Sequence, residues 1–114
     1  MMDFNEYQKR AVSTAVYPNV NTGTLEAIMY CALGLCGEAG EIAEKVKKLY
    51  RDSGGKITEE FKAALLKELG DPLWYIAAMG NEVGFDLQQI AQTNVDKLSS
   101  RKERGVLGGS GDNR

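Results

Sequence analysis

Two pairs of acidic residues, set in stretches that otherwise have the pattern of buried helix, most constrain what this chain can fold into. Glu38 and Glu41 lie three residues apart in GLCGEAGEIAEK, and Glu68 and Asp71 repeat that spacing in KELGDPLWY. Residues three apart on a helix point to the same face. Acidic side chains are rarely buried without a partner. We therefore expect the two pairs to converge on a cation and form one metal site.

Apolar residues recur at helical spacing along most of the chain, and no alternating strand pattern is present. The pattern predicts an all-α fold with four helices, over residues 3–16, 24–50, 58–83 and 87–103. Asp3 or Asn5, Thr22 or Thr24, Thr58 and Asp86 are the expected helix caps. One helical domain over residues 1–104 is followed by a glycine-rich tail, 105–114, which we expect to be flexible unless something orders it.

Glycine and proline leave two local questions open. Gly34, Gly37 and Gly40 lie inside the second predicted helix, although a mid-helix glycine costs about 1 kcal/mol relative to alanine. Their spacing of three predicts a line along which another helix approaches closely, and a helix break is the alternative. Pro72 either kinks the third helix or follows a stop at Gly70, with a restart at Asp71.

Composition excludes several classes of chemistry. The chain has no histidine, which removes histidine bases, zinc-finger ligation and the Glu-x-x-His motif of ferritin-like bundles. A net charge of −2 without a clustered basic face argues against nucleic-acid binding. Cys31 and Cys36 are five residues apart, which favours two buried free thiols over a disulfide. No signal peptide or membrane-spanning run is present, so we expect a cytoplasmic protein.

The fourth predicted helix carries a line of amide and cationic side chains, formed by Asn94, Lys97, Arg101 and Arg104. A solvated helix end is the ordinary explanation for such a line. Beside a carboxylate cluster, however, it suggests phosphoryl chemistry. Mg²⁺ takes oxygen ligands and is commonly shared between carboxylates and substrate phosphates, while cations neutralise the developing charge.

In these motifs the chain resembles the MazG-like all-α nucleoside triphosphate pyrophosphohydrolases. Glu38-x-x-Glu41 followed by Glu68-x-x-Asp71 is similar to the E-x-x-E…E-x-x-D signature of that family. The segments GLCGEAGEIAEKVKK, KELGDPLWYIAA and NVDKLSSRKERG resemble its three motif segments, and GGSGDNR resembles the ending of many members. The resemblance implies a MazG-like bundle of four to five helices that is completed by oligomerisation, as a homo-dimer or homo-tetramer.

The resemblance also implies an activity: hydrolysis of an NTP or dNTP to the nucleoside monophosphate and pyrophosphate, which could serve house-cleaning of the nucleotide pool. Glu38, Glu41, Glu68 and Asp71 would be the catalytic residues and would hold Mg²⁺, with Mn²⁺ as a substitute. The substrate-binding residues it implies are Asn94, Lys97, Arg101, Arg104, Trp74 and Tyr75, and core packing is an equal alternative for the last two.

Pro72 departs from the family pattern, which commonly has an aliphatic residue after the aspartate. A kink there could re-aim Asp71 relative to Glu68. The alternative function is therefore a non-catalytic helical bundle that binds metal and nucleotide, as a sensor or as a structural oligomer.

Overall fold

The computed structural model describes all 114 residues and contains four helices and no strand. The helices are α1 (Phe4–Ser13), α2 (Leu25–Asp52), α3 (Glu59–Val83) and α4 (Leu87–Glu103). The all-α prediction is confirmed. The largest boundary difference is at the end of α1, which stops at Ser13 rather than at residue 16.

The helix ends follow from local hydrogen bonds. Asp3, Thr24, Thr58 and Asp86 are the N-caps, and each side chain accepts a hydrogen bond from a backbone N–H of the first turn. Asp86 and Gln89 form a reciprocal capping box at 2.7 and 2.9 Å. Gly84, at φ 85°, ends α3 in the left-handed conformation.

Pro72 lies inside α3, which runs without a break from Glu59 to Val83. The alternative of a stop at Gly70 and a restart at Asp71 is therefore wrong. A proline inside a helix removes one backbone hydrogen bond. Here the helix continues through that loss, so Glu68 and Asp71 stay on one helix at the three-residue spacing.

The packing is centred on α3. It forms a long hairpin with α2 and also packs against α1 and α4, whereas α4 makes no contact with α2. Two small buried clusters result. One contains Tyr17, Ala27, Cys31 and Ala78, and the other contains Ala11, Ala77 and Leu87. Both lie towards the end of α3, so the middle of that helix is at the border of the core.

The side chain of Gln8 fixes α1 to the connection between α3 and α4. Its Nε2 donates to the carbonyls of Ala77 and Phe85, both at 3.1 Å. Its Oε1 accepts from the N–H of Leu87 at 3.0 Å. A buried amide that is satisfied at both ends specifies one docking geometry for α1.

Two predictions about small residues fail. Cys31 is fully buried as expected, but Cys36 is exposed, so the prediction of two buried thiols is wrong for Cys36. A side chain at Gly34 would overlap the ring of Tyr75, whereas a Cβ added at Gly37 or Gly40 would meet nothing within 4 Å. The predicted glycine line is therefore a single contact between the α2 backbone and an aromatic ring.

No helix in the fold is both long enough and apolar enough to cross a membrane.

Glu82 is buried at 7% exposure and closes the loop between α1 and α2. Its carboxylate accepts from the hydroxyl of Tyr17 and from the backbone N–H groups of Asn21 and Gly23, at 2.8 and 2.9 Å. Burial alone would raise the pKa of Glu82, but these hydrogen bonds outweigh it and hold the pKa below its usual value. The loop therefore depends on a charged carboxylate.

We expect Glu82→Gln to lower the free energy of unfolding by about 2–3 kcal/mol at pH 7, because an amide cannot accept at both positions. Because the pKa of Glu82 is lower in the folded protein, its charge stabilises the fold fully above the pKa of the unfolded chain, about 4.3, and this stabilisation is lost as pH falls through the pKa of the folded protein. The difference in unfolding free energy between wild type and Glu82→Gln should therefore shrink below about pH 4. Urea unfolding at fixed protein concentration measures this, with exposed Glu103→Gln as the control. An equal loss of unfolding free energy in Glu82→Gln at pH 7 and at pH 3 would contradict this prediction.

Candidate functional site

Three of the four predicted acidic residues meet between α2 and α3. Glu38, Glu41 and Glu68 each place a carboxylate oxygen within 4.8 Å of the others. Two of them leave the same face of α2, and the third reaches them from the middle of α3. The convergence that the two acidic pairs predicted is therefore present for these three side chains.

Asp71 lies beside this group but is not within the same distance limit. It is exposed, and it lines a shallow pocket together with Glu38, Trp74 and Tyr75. Its charge still acts on Glu38. The fourth carboxylate is thus at the mouth of the site, one helical turn along α3 from Glu68.

Glu38 is the carboxylate on which the other three acidic residues act. Its Oε2 is buried and has no hydrogen-bond partner. Burial raises the pKa of Glu38, and so do the neighbouring carboxyl of Glu41 and the charges of Asp71 and Glu68. A buried acceptor without a donor is rare, and it calls for a proton or a cation.

The donor set fits a hard divalent cation. All the ligand atoms are carboxylate oxygens, which Mg²⁺, Ca²⁺ and Mn²⁺ accept, and the chain has no histidine to favour zinc or copper. A cation here would relieve the repulsion and would satisfy Glu38 Oε2. Glu38, Glu41 and Glu68 could therefore hold a metal ion, with Asp71 next to them.

The aromatic residues beside the acids are partly buried. Tyr75 lies over Gly34 of α2 and meets Trp74 edge to face, with ring centroids 5.0 Å apart. Trp74 packs edge-on against Tyr17, and its Nε1 donates to Thr14 Oγ1 at 2.9 Å. Both residues pack against the core and also line the pocket with Glu38. Core packing is therefore present, and a role for the two rings in binding a nucleobase stays a prediction.

Lysines of α2 flank the opposite side of the acidic cluster. Lys45 and Lys48 line a second pocket with Glu41, Glu44 and Glu68. Lys48 is 3.9 Å from Glu44, whereas Lys45 is half-buried. Lys45 and Lys48 are not among the residues predicted from the sequence. The signal that could have identified them is their spacing, four and seven residues after Glu41, which places them on the same helix face as that acid.

The predicted cationic line on α4 is not next to the acids of α2 within one chain, because α4 packs only on α1 and α3. Asn94 is exposed. Lys97 and Arg101 contact Asp112 of the tail, and Arg104 donates to Ser100 Oγ and to the main-chain oxygen of Arg114. Within this chain these side chains therefore lie away from the carboxylates of α2, and their contact with phosphate or sugar stays a prediction.

Carboxylates that meet across a helix interface define a class of metal-binding helical proteins. The comparisons make the class specific. The chain matches the family model described as the MazG nucleotide pyrophosphohydrolase domain over residues 27–106. This match covers most of the chain and contains all four acidic residues, so the chain belongs to the MazG family and the resemblance is confirmed.

The chain is also similar to a phage protein. The Gene 37 protein of Mycobacterium phage L5 is 48% identical over 114 residues, which are 99% of this chain and 100% of the phage protein. No solved structure matches the chain. The similarity therefore extends along nearly the whole length of both proteins.

We expect divalent cations, tested as Mg²⁺ and Mn²⁺, to raise the melting temperature, since binding to the folded state at 100 times Kd adds about 2.7 kcal/mol. Glu38→Gln should act in two opposite ways. Without metal it should raise the melting temperature by roughly 2–5 °C at pH 7, because the raised pKa of Glu38 makes its charge unfavourable in the fold. When metal is added, the melting temperature of Glu38→Gln should rise much less than that of wild type.

Glu26→Gln, on the exposed start of the same helix, is the matched control and should keep the full metal response. Differential scanning calorimetry measures both effects. A Glu38→Gln protein that is less stable than wild type without metal, yet still stabilised by it, would contradict this account of the cluster.

Proposed function

We propose that this chain is a Mg²⁺-dependent nucleoside triphosphate pyrophosphohydrolase, which converts an NTP or dNTP and water to the nucleoside monophosphate and pyrophosphate. The observation that carries the proposal is the carboxylate cluster with the buried, unpartnered Oε2 of Glu38, in a chain of the MazG family. Mg²⁺ is the proposed ion, and Mn²⁺ its substitute.

The acidic residues take the central part in this proposal. Glu38, Glu41 and Glu68 hold the metal, with Asp71 at the open side. When bound, Mg²⁺ would neutralise the phosphate charge and polarise the phosphoryl oxygens. Glu38 and Asp71, the two carboxylates that share a pocket with the aromatic residues, would orient an attacking water and accept its proton.

The remaining contacts supply binding. Trp74 and Tyr75 present aromatic surface at the pocket, where a nucleobase can stack. Lys45 and Lys48 line a second pocket with Glu41, Glu44 and Glu68, where their ammonium groups can contact phosphate oxygens. Asn94, Lys97, Arg101 and Arg104 contact phosphate or sugar in this proposal, although α4 of the same chain does not adjoin α2.

The proposal therefore includes a homo-dimer or homo-tetramer in which α4 of one copy supplies cations to the acids of another. The open packing of the single chain supports this assembly. Only 11 of 114 residues are buried, and the radius of gyration is 16.9 Å, whereas a compact chain of this length has about 13 Å. Large apolar side chains are exposed on α2, including Met29, Leu33 and Val46.

Hydrolysis is tested with a panel of NTPs and dNTPs, with the products separated by ion-exchange chromatography. We expect at least one triphosphate to yield monophosphate and pyrophosphate, not diphosphate and orthophosphate. Glu68→Gln and Glu41→Gln should lower kcat by at least about 100-fold, because each removes a metal-holding charge. Exposed Glu60→Gln on α3 should retain wild-type activity. No turnover of any substrate with Mg²⁺ or Mn²⁺ would refute the enzymatic proposal.

Assembly is tested by light scattering coupled to size-exclusion chromatography. We expect wild type to elute as a dimer or tetramer. Leu33→Glu should shift it towards monomer and lower kcat/KM by at least about tenfold, because burying an unpaired charge in an interface is strongly unfavourable. Val16→Glu places the same charge on an exposed connecting segment and should change neither property. A monomeric wild type with full activity would exclude the shared site.

A further inference from the structure

The C-terminal segment 105–114 is folded against α4, although its composition predicts a flexible tail. Backbone N–H groups of Gly105 and Val106 donate to carbonyls at the end of α4. The guanidinium of Arg114 then closes the segment on itself by donating to four main-chain carbonyls, those of Val106, Leu107, Gly108 and Gly111. Glycine at 109 and 111 permits the positive φ values that this closed loop needs.

The closed loop sets Asp112 on the cations of α4. Its Oδ1 is 3.3 Å from Lys97 Nζ and 3.1 Å from a terminal nitrogen of Arg101. The Arg101 side chain is only 5% exposed, whereas that of Asp112 is 81% exposed. The tail thus buries a cation beneath a carboxylate that stays in contact with water.

The fit of the tail to Arg101 is incomplete. One terminal nitrogen serves three acceptors, which are the carbonyls of Gly111 and Asp112 and the Asp112 carboxylate. The Nε of Arg101 is buried and has no acceptor. A guanidinium matches an oxyanion best when two parallel N–H groups meet two oxygens. Asp112 leaves that second position unfilled.

A phosphate group would fill both positions. It carries several oxygens at the spacing of the guanidinium fork, and Lys97 adds a point charge at the same place. Asp112 remains charged at neutral pH, since hydrogen bonds from Arg101 and Lys97 hold its pKa below the usual value. Its exposure nevertheless makes the pair weak and easily screened. An anion with more charge can therefore replace it.

We propose that the C-terminal segment is an intramolecular latch, in which the Asp112 carboxylate holds the place of a phosphate group on Lys97 and Arg101 and is displaced by the phosphates of substrate or product. This rests on the proposed function, in which the cations of α4 contact phosphate. The latch covers the buried Arg101 when nucleotide is absent. Phosphate binding opens it and exchanges one anion for another at the same cations.

The test uses inorganic pyrophosphate, titrated calorimetrically into the full chain without divalent metal, so that hydrolysis plays no part. Asp112→Asn keeps the shape of the side chain but removes the competing charge. We expect it to bind pyrophosphate about three- to fivefold more tightly than wild type, which is the strength of an exposed ion pair. Asp96→Asn removes the same charge from an exposed position on α4 and should change the affinity less than about twofold.

Lys97→Gln added to Asp112→Asn should abolish the gain, because the latch and pyrophosphate share that cation. Equal or weaker binding by Asp112→Asn than by Asp96→Asn overturns the latch, and so does an absence of pyrophosphate binding in every variant, whether or not the enzyme hydrolyses nucleotides. If pyrophosphate binds as expected but no nucleotide is hydrolysed, the latch stands and the enzymatic proposal fails.

A second readout follows the tail itself. Hydrogen exchange over residues 105–114 of wild type should become faster when pyrophosphate is added, because the hydrogen bonds that Lys97 and Arg101 donate to Asp112 are broken. Unchanged or slower exchange in that segment would mean that pyrophosphate binds without opening the tail, and would overturn the proposal.

Discussion

The repulsion among Glu38, Glu41 and Glu68 is the constraint on which the rest of the site depends. Carboxylates whose oxygens lie within 4.8 Å of one another oppose the association of the two helices that carry them. The hairpin of α2 and α3 must therefore be held by contacts elsewhere along its length. Tyr75 over Gly34 is one such contact, and it lies one turn from Glu38. A cation would convert the repulsive junction into an attractive one.

The position of the cluster in the fold explains how the chain tolerates this charge. Both buried clusters of the core lie towards the C-terminal half of α3 and include Ala77 and Ala78. In the opposite half of the hairpin, apolar side chains such as Leu66 and Tyr50 are exposed. The acids occupy the border between these halves. Packing on one side fixes the helices, while the other side of the hairpin stays exposed to solvent.

The sequence predicted those features that depend on local chemistry. Caps, helix ranges and the convergence of Glu38, Glu41 and Glu68 follow from spacing and side-chain type. The predictions for Gly37 and Cys36 were wrong because the environments of these residues depend on helix crossing geometry and on long-range contacts, which periodicity does not encode. The ordered tail was missed for a related reason. Glycine-rich composition predicts flexibility, but the guanidinium of Arg114 collects main-chain carbonyls that composition does not reveal.

Glu82 and Glu38 show how a structural carboxylate differs from a candidate metal ligand. Glu82 is surrounded by donors, and its pKa falls because the charged form is satisfied. Glu38 is surrounded by other acids, and its pKa rises because the charged form is not. The two pKa values shift in opposite directions, and only Glu38 has a buried carboxylate oxygen without a hydrogen-bond partner. The direction of the shift, combined with the missing donor, therefore marks Glu82 as part of the fold and Glu38 as a candidate site residue.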